Sequence, residues 1–223
     1  MALRARVILL LTLIEAGCGA ARLPAPSTAP PAFAVRSIAL PGAPPGGVGM
    51  DYLAYDRARH RVWVPAGNTG SVDVVDGVDG RVSRVEGFAT AELERNGTKR
   101  TVGPSSATVG DGVVYVGNRG DSSVCAVGAE SLRVGPCVEL ESMPDGLAYV
   151  AATKEVWATT PRAHSIAVID AAAAGALTRK AEIPLDGQPE GFAVDDLRGV
   201  FFTNLEDKYF RGLGTRVLGA TRA

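Results

Sequence analysis

A short β-rich segment with an aromatic residue near its centre recurs four times along the chain. The copies are centred on Trp63, Tyr115, Trp157 and Phe201, at intervals of 52, 42 and 44 residues. The fullest copy reads Val-Val-Tyr-Val-Gly-Asn at 113–118. A regular interval means that one structural unit is repeated, so this feature constrains the fold more than any other.

Each repeat is predicted to contain several short antiparallel strands. In the first repeat we predict strands at 50–56, around Trp63, at 71–75 and at 81–85, with a turn at 67–70. Four short strands every 40–45 residues are typical of one blade of a β-propeller. We therefore predict an all-β fold of about three and a half blades, and we expect the central aromatic residues to pack between blades.

The ends of the repeat region differ from its middle. Residues 33–40 alternate apolar and smaller side chains and are predicted to form an outer strand. The repeat pattern fails after Lys208, where residues 209–223 contain arginines and glycines but no acidic residue. We predict a partial propeller over 33–208, followed by an atypical tail over 209–223.

The first twenty residues are typical of a secretory signal. Two arginines precede the apolar run Val7–Ile14, which is too short to span a membrane. The residues before Cys18 resemble the end of a bacterial lipobox, which predicts lipidation at Cys18; cleavage after Ala20 is the alternative. Residues 21–32 are rich in Pro and Ala and predict a tether. We expect an exported protein, a periplasmic or cell-surface (outer-membrane) lipoprotein that contacts the membrane only through this anchor.

Two cysteines lie within the repeats, in a chain predicted to reach an oxidising compartment. If 123–127 and 136–140 pair as an antiparallel hairpin, Cys125 and Cys137 face each other. We predict a cross-strand disulfide; two buried free thiols are the alternative.

The composition argues against several classes of function. The formal net charge of −1 gives no reason to expect nucleic acid as a partner. The chain has two histidines and lacks the Cys and His spacings of zinc or redox centres. We identify no catalytic residue, because 103–107 does not form a nucleophile elbow.

The longer first interval contains a charged insertion at 89–102. Its Asn96-Gly97 pair is a strong hairpin signal. We predict an extended hairpin that either only lengthens the blade edge or provides a contact surface.

The repeats resemble the YVTN family of β-propellers, the YncE-like bacterial group within the wider WD40 and quinoprotein-like superfamily. The residues that carry the resemblance are 115–118, Phe202-Thr203-Asn204, and the Pro-x-Gly turns at 144–146 and 189–191. The resemblance implies a seven-bladed ring, of which about half is present here. We expect either a shortened copy of a longer chain or self-association of two chains through their open blade faces.

Propellers bind ligands at the mouth of the central channel, where loops lead into the innermost strands. Alignment of the repeats places Asp51, Ser105, Asp145 and Glu190 at these positions. Three carboxylates near one axis would bind a cation, an amine or a basic peptide side chain. The alternative is that these residues only stabilise tight turns.

Three functions are compatible with the sequence. The first is a non-enzymatic binding or scaffold module for an unknown protein or a small cationic ligand, with no cofactor. The second is a lactonase-like hydrolase, in which Asp51, Asp145 and Glu190, with Asn118 or Asn204, would hold a divalent cation. The third is a relative of quinone-cofactor dehydrogenases. We favour the first, because it needs no catalytic residues.

Overall fold

The computed structural model describes residues 34–95, 97–172, 176–195, 197–206 and 216–221. The predicted signal, Cys18 and the tether lie outside these residues. The chain divides into two compact units, Met1–Ser37 and Ile38–Ala223, and all the described strands belong to the second.

Four antiparallel sheets follow one another along the chain, each with its strands in sequence order. The first contains β1 (Ala54–Asp56), β2 (Arg61–Ala66), β3 (Ser71–Asp76) and β4 (Val82–Glu86). A separate hairpin of β5 (Ala91–Arg95) and β6 (Thr98–Val102) follows it. The second sheet contains β7 (Pro104–Gly110), β8 (Val113–Asn118), β9 (Ser123–Gly128) and β10 (Val134–Glu139).

The third sheet contains β11 (Leu147–Val150), β12 (Glu155–Thr160), β13 (Ser165–Asp170) and β14 (Thr178–Pro184). The fourth has three strands, β15 (Gln188–Asp195), β16 (Val200–Glu206) and β17 (Arg216–Thr221). Within the described ranges, the helical segments are two 3-10 turns, Gly67–Thr69 and Pro161–Ala163. None of these residues belongs to a helix long and apolar enough to cross a membrane.

The four sheets pack side by side through their first strands. β1 and β2 contact β7, β11 contacts β7 and β8, and β15 contacts β11, β12 and β13. The first strand of each sheet is therefore the innermost, as in propeller blades. The prediction of an all-β fold built from propeller blades is confirmed.

The central aromatic residues pack between blades as predicted. Trp63 is fully buried in a cluster that it shares with second-sheet residues such as Val114 and Val116. The rings of Trp157 and Phe201 stack with their centroids 5.6 Å apart, which joins the third and fourth sheets.

The predicted disulfide and hairpin are both present. Cys137 of β10 lies opposite Cys125 of β9, and the two sulfurs are bonded. A bridge that closes so short a loop stabilises the fold by roughly 2–3 kcal/mol in the chain-entropy model. In the hairpin, Ala91 pairs with Val102, and Gly97 adopts a positive φ of 74° at the turn. Asn96 lies outside the described residues.

The predicted outer strand at 33–40 is wrong over its described part. Residues 34–40 form no strand, because no described strand lies beside them to complete a hydrogen-bonded ladder. The innermost strand predicted at 50–56 is also shorter, since β1 begins at Ala54. Before it, Tyr52 forms an isolated parallel bridge with Ser106.

The fourth sheet has a third strand that the repeat pattern did not reveal. The backbone of β17 pairs antiparallel with β16, with Thr203 opposite Leu218. This strand lies within the predicted tail, and residues 207–215 and 222–223 lie outside the described residues.

Candidate functional site

Three of the four predicted site residues meet at one cavity. Asp51, Asp145 and Glu190 line a cavity of about 510 Å³ at the inner ends of the blades. We call it the mouth cavity. Ser105 instead lines an adjoining cavity of about 480 Å³, to which Asp51 also belongs.

Backbone hydrogen bonds between neighbouring blades hold these residues in place. The Tyr52 amide donates to the Ser105 carbonyl at 3.0 Å, and the Ala107 amide donates to the Tyr52 carbonyl at 3.1 Å. The buried Ser105 hydroxyl donates to the Pro144 carbonyl at 3.5 Å. Ser105 therefore connects the second and third blades.

Arg119 lies between two of the predicted carboxylates. Its guanidinium donates to Asp51 at 2.9 Å and forms a second ion pair with Asp145. Asp145 is largely buried, so the pair replaces lost hydration of its charge. The carboxylates of the first and third blades are thus joined through a cation from the second.

The sequence reasoning missed Arg119, although the repeats contained a signal. Arg119 follows Asn118, and the equivalent positions after the other aromatic segments hold Gly67, Pro161 and Leu205. A single charge in an otherwise uncharged column of the repeats marks a position with a local role.

Two further guanidinium groups line the mouth cavity. Arg100 comes from β6 of the hairpin, and Arg162 comes from the second 3-10 turn. Both are exposed, and within the described ranges neither has a hydrogen-bond or ion-pair partner. Glu206, at the end of β16, is a fourth carboxylate in the same lining.

Tyr52 connects the first and fourth blades. Its hydroxyl donates to the Glu190 carbonyl at 3.3 Å, and its ring centroid lies 5.5 Å from that of Phe192. Burial, together with the charges of Asp51 and Glu190, raises the pKa of the Tyr52 phenol. The phenol therefore stays protonated at neutral pH and keeps its hydrogen bond.

The oxygens proposed as ligands of a divalent cation have other partners. Asp51 and Asp145 bind Arg119, and the side-chain oxygen of Asn118 accepts a hydrogen bond from the Gly120 amide at 3.1 Å. Among the residues whose placement is described, no three His, Cys, Asp or Glu side chains are grouped closely enough to hold a metal ion.

No family model and no curated protein sequence matches the chain. It is similar to solved structures in fold. Hydrazine synthase of Kuenenia stuttgartiensis is 15% identical with a TM-score of 0.61, and the match covers 76% of this chain and 45% of that one. Virginiamycin B lyase of Staphylococcus aureus is 13% identical with a TM-score of 0.51, over 77% of this chain and 55% of that one.

The Swd1 β-propeller domain of Myceliophteria thermophila is 8% identical with a TM-score of 0.53, over 70% of this chain and 48% of that one. The chain therefore spans about half the length of these proteins. At such low identity the similarity shows the fold, which places the chain among β-propeller proteins.

Proposed function

We propose that this chain is an exported, lipid-anchored β-propeller that acts as a non-enzymatic binding module, with its ligand in the mouth cavity. One observation carries the proposal: charged side chains from all four blades converge on a single cavity of about 510 Å³. That volume lies within the range of pockets that bind small molecules. The YVTN-like repeats and the signal-like N-terminus support the assignment to an exported propeller.

Calorimetric titration tests the binding function with three charged probes: cadaverine, L-lysine and glutarate. We expect at least one of them to bind. We expect Glu190→Gln to weaken the binding of a probe that carries an ammonium group, because the Glu190 carboxylate lines the cavity. Glu139→Gln is the matched control, since Glu139 lies exposed on β10, the outermost strand of the second blade. If no probe binds, or if both variants bind like the natural protein, the mouth cavity is not the binding site.

Labelling with radioactive palmitate in a bacterial host tests the anchor. We expect label in the natural protein and its loss in Cys18→Ser. Unlabelled natural protein, released with Ala21 at its N-terminus, would show ordinary signal cleavage instead.

A further inference from the structure

We propose that the mouth cavity binds a small zwitterion that carries both a carboxylate and an ammonium group on an aliphatic chain, as an amino acid with a terminal amine does. This inference rests on the proposed binding function and names its ligand class. It differs from the expectation of a simple cation that the carboxylates alone suggested.

Two of the arginines in the described cavity lining have no partner among the described residues. Arg119 is engaged by Asp51 and Asp145. Arg100 and Arg162 line the same cavity, and neither has a partner in the described part of the chain. A guanidinium binds a carboxylate through two parallel hydrogen bonds, which a simple amine cannot accept. A purely cationic ligand would therefore leave these two groups unmatched.

The charges of the described cavity lining do not cancel. The lining contains four carboxylates, those of Asp51, Asp145, Glu190 and Glu206. Among the described lining residues, three guanidiniums oppose them, those of Arg100, Arg119 and Arg162, so these seven side chains together carry one net negative charge. A dianion would meet this negative field, whereas a molecule with one carboxylate and two ammonium groups would balance it.

The cavity lining also has an apolar part. Leu93, Met143 and Pro144 line the cavity beside the charged groups. Such side chains accept a methylene chain, and the flexible Met143 adapts to its shape. The cavity therefore presents an apolar wall between groups of opposite charge.

The hairpin of β5 and β6 contributes two side chains to the mouth cavity. Leu93 of β5 pairs directly with Arg100 of β6, so the two side chains lie on the same face of the hairpin. Both line the mouth cavity. The insertion that lengthens the first repeat thus brings an apolar group and a cation to the ligand together.

Titration of the purified full chain with L-lysine, cadaverine and glutarate tests the ligand class. L-lysine has both kinds of group, cadaverine has only amines, and glutarate has only carboxylates. We expect L-lysine to bind most tightly. The double variant Arg100→Gln/Arg162→Gln should raise its Kd roughly tenfold or more, as expected for loss of charged hydrogen bonds.

The same double variant should bind cadaverine at least as tightly as the natural protein does, because it removes two positive charges from the cavity lining. Arg133→Gln is the matched control, because Arg133 is an exposed arginine in the β9–β10 connection, outside the cavity lining. Thermal melting of each variant confirms that it folds. Arg100→Gln alone repeats the test if the double variant does not fold.

If cadaverine and L-lysine bind with equal affinity, and loss of the two arginines does not affect it, the proposal of a zwitterionic ligand is wrong. The chain is then a cation-binding module. Equal affinity for glutarate and L-lysine would likewise overturn that proposal in favour of an anion. In both cases the proposed binding function stands. If none of the three probes binds, both proposals fail.

Discussion

Glu155 shows how a single buried charge can stabilise a blade. Its side chain is fully buried at the start of β12, where it accepts hydrogen bonds from Thr153 at 2.9 Å and Trp157 at 3.1 Å. Lys180 of β14 pairs with it at 2.9 Å, across the intervening β13. Burial alone would raise the pKa of Glu155, but the bonds from Lys180, Trp157 and Thr153 outweigh it, and the pKa lies below its ordinary value.

A pH series of the free energy of unfolding tests this role. A carboxylate with a lowered folded-state pKa contributes stability above its unfolded-state pKa and loses it as the pH falls through the folded-state value. We expect Glu155→Gln to cost about 1–3 kcal/mol at pH 7. The difference from the natural protein should shrink as the pH falls below about 5, because Glu155 then becomes protonated. Glu139→Gln serves as an exposed control, and a difference that stays constant with pH would contradict the account.

The sequence indicated which residues lie together at the inner ends of the blades better than it indicated the partners of those residues. Asp51, Asp145 and Glu190 could be identified because their positions in the repeat place them near one axis. Arg119 could not be linked to Asp51, because the two are 68 residues apart and meet only when the blades pack. Cys125 and Cys137 were predictable because both belong to one short hairpin.

At the scale of elements, the blades approach each other closely where a side chain is missing. Gly110 ends β7, and the Tyr149 ring of β11 packs directly over it. A Cβ atom on Gly110 would lie 2.1 Å from that ring. The ring is held in place because its hydroxyl donates to Asp111 at 2.8 Å and its backbone amide donates to Thr108 at 3.0 Å.

Substitution of this glycine should separate the second and third blades. We expect Gly110→Ala to lower the free energy of unfolding by about 1–3 kcal/mol, the usual cost of overpacking. Urea denaturation measures the effect. Gly46→Ala is the control, since a Cβ there would meet no atom within 4 Å. Equal stability of the two variants would show that the tyrosine ring moves aside freely.

Strands were predictable where the repeat is regular, and the strand predictions failed at its two ends. The segments around Trp63, Tyr115 and Trp157 form strands because each has neighbours on both sides in its sheet. The strand predicted at 33–40 had an alternating pattern but lacks a described partner. Conversely, β17 follows no repeat pattern, and its pairing with β16 is not visible in local sequence.

At the scale of the whole repeat region, the segment before β1 partly covers the face of the first sheet that points away from the second sheet. Trp63 and Val74 face the second sheet, so the alternating Asp73 and its cross-strand neighbour Arg84 lie on the opposite face. Asp73 is fully buried and pairs with Arg84 at 2.9 Å. Arg84 also donates to the Pro41 carbonyl. The segment before β1 therefore covers part of this face of the first sheet, as an end cap does in a repeat protein.

Substitution of Arg84 should show how much its ion pair with Asp73 stabilises the first sheet. Arg84→Met leaves a buried carboxylate without its partner, so we expect a loss of about 3–5 kcal/mol in the free energy of unfolding. The double variant Asp73→Asn/Arg84→Met should recover much of that loss, because it removes the unpaired charge. Urea denaturation of the two variants measures the effect, and equal stability of the single variant and the natural protein would show that the Asp73–Arg84 pair does not stabilise the first sheet.

The opposite end of the repeat region differs from this capped face. Phe201 packs against Trp157, so the neighbouring Phe202 faces away from the third sheet and is 37% exposed. Self-association through open blade faces stays a prediction, and the fourth sheet is the surface at which we expect it.

Hydrogen exchange with and without L-lysine tests most directly the central claim that the mouth cavity is where this propeller binds its ligand. The account predicts slower exchange on addition of L-lysine in peptides that contain Arg100, Asp145 and Glu190, with little change in the outer strands β10 and β14. Unchanged exchange at all three positions, or protection confined to the outer strands, would contradict it.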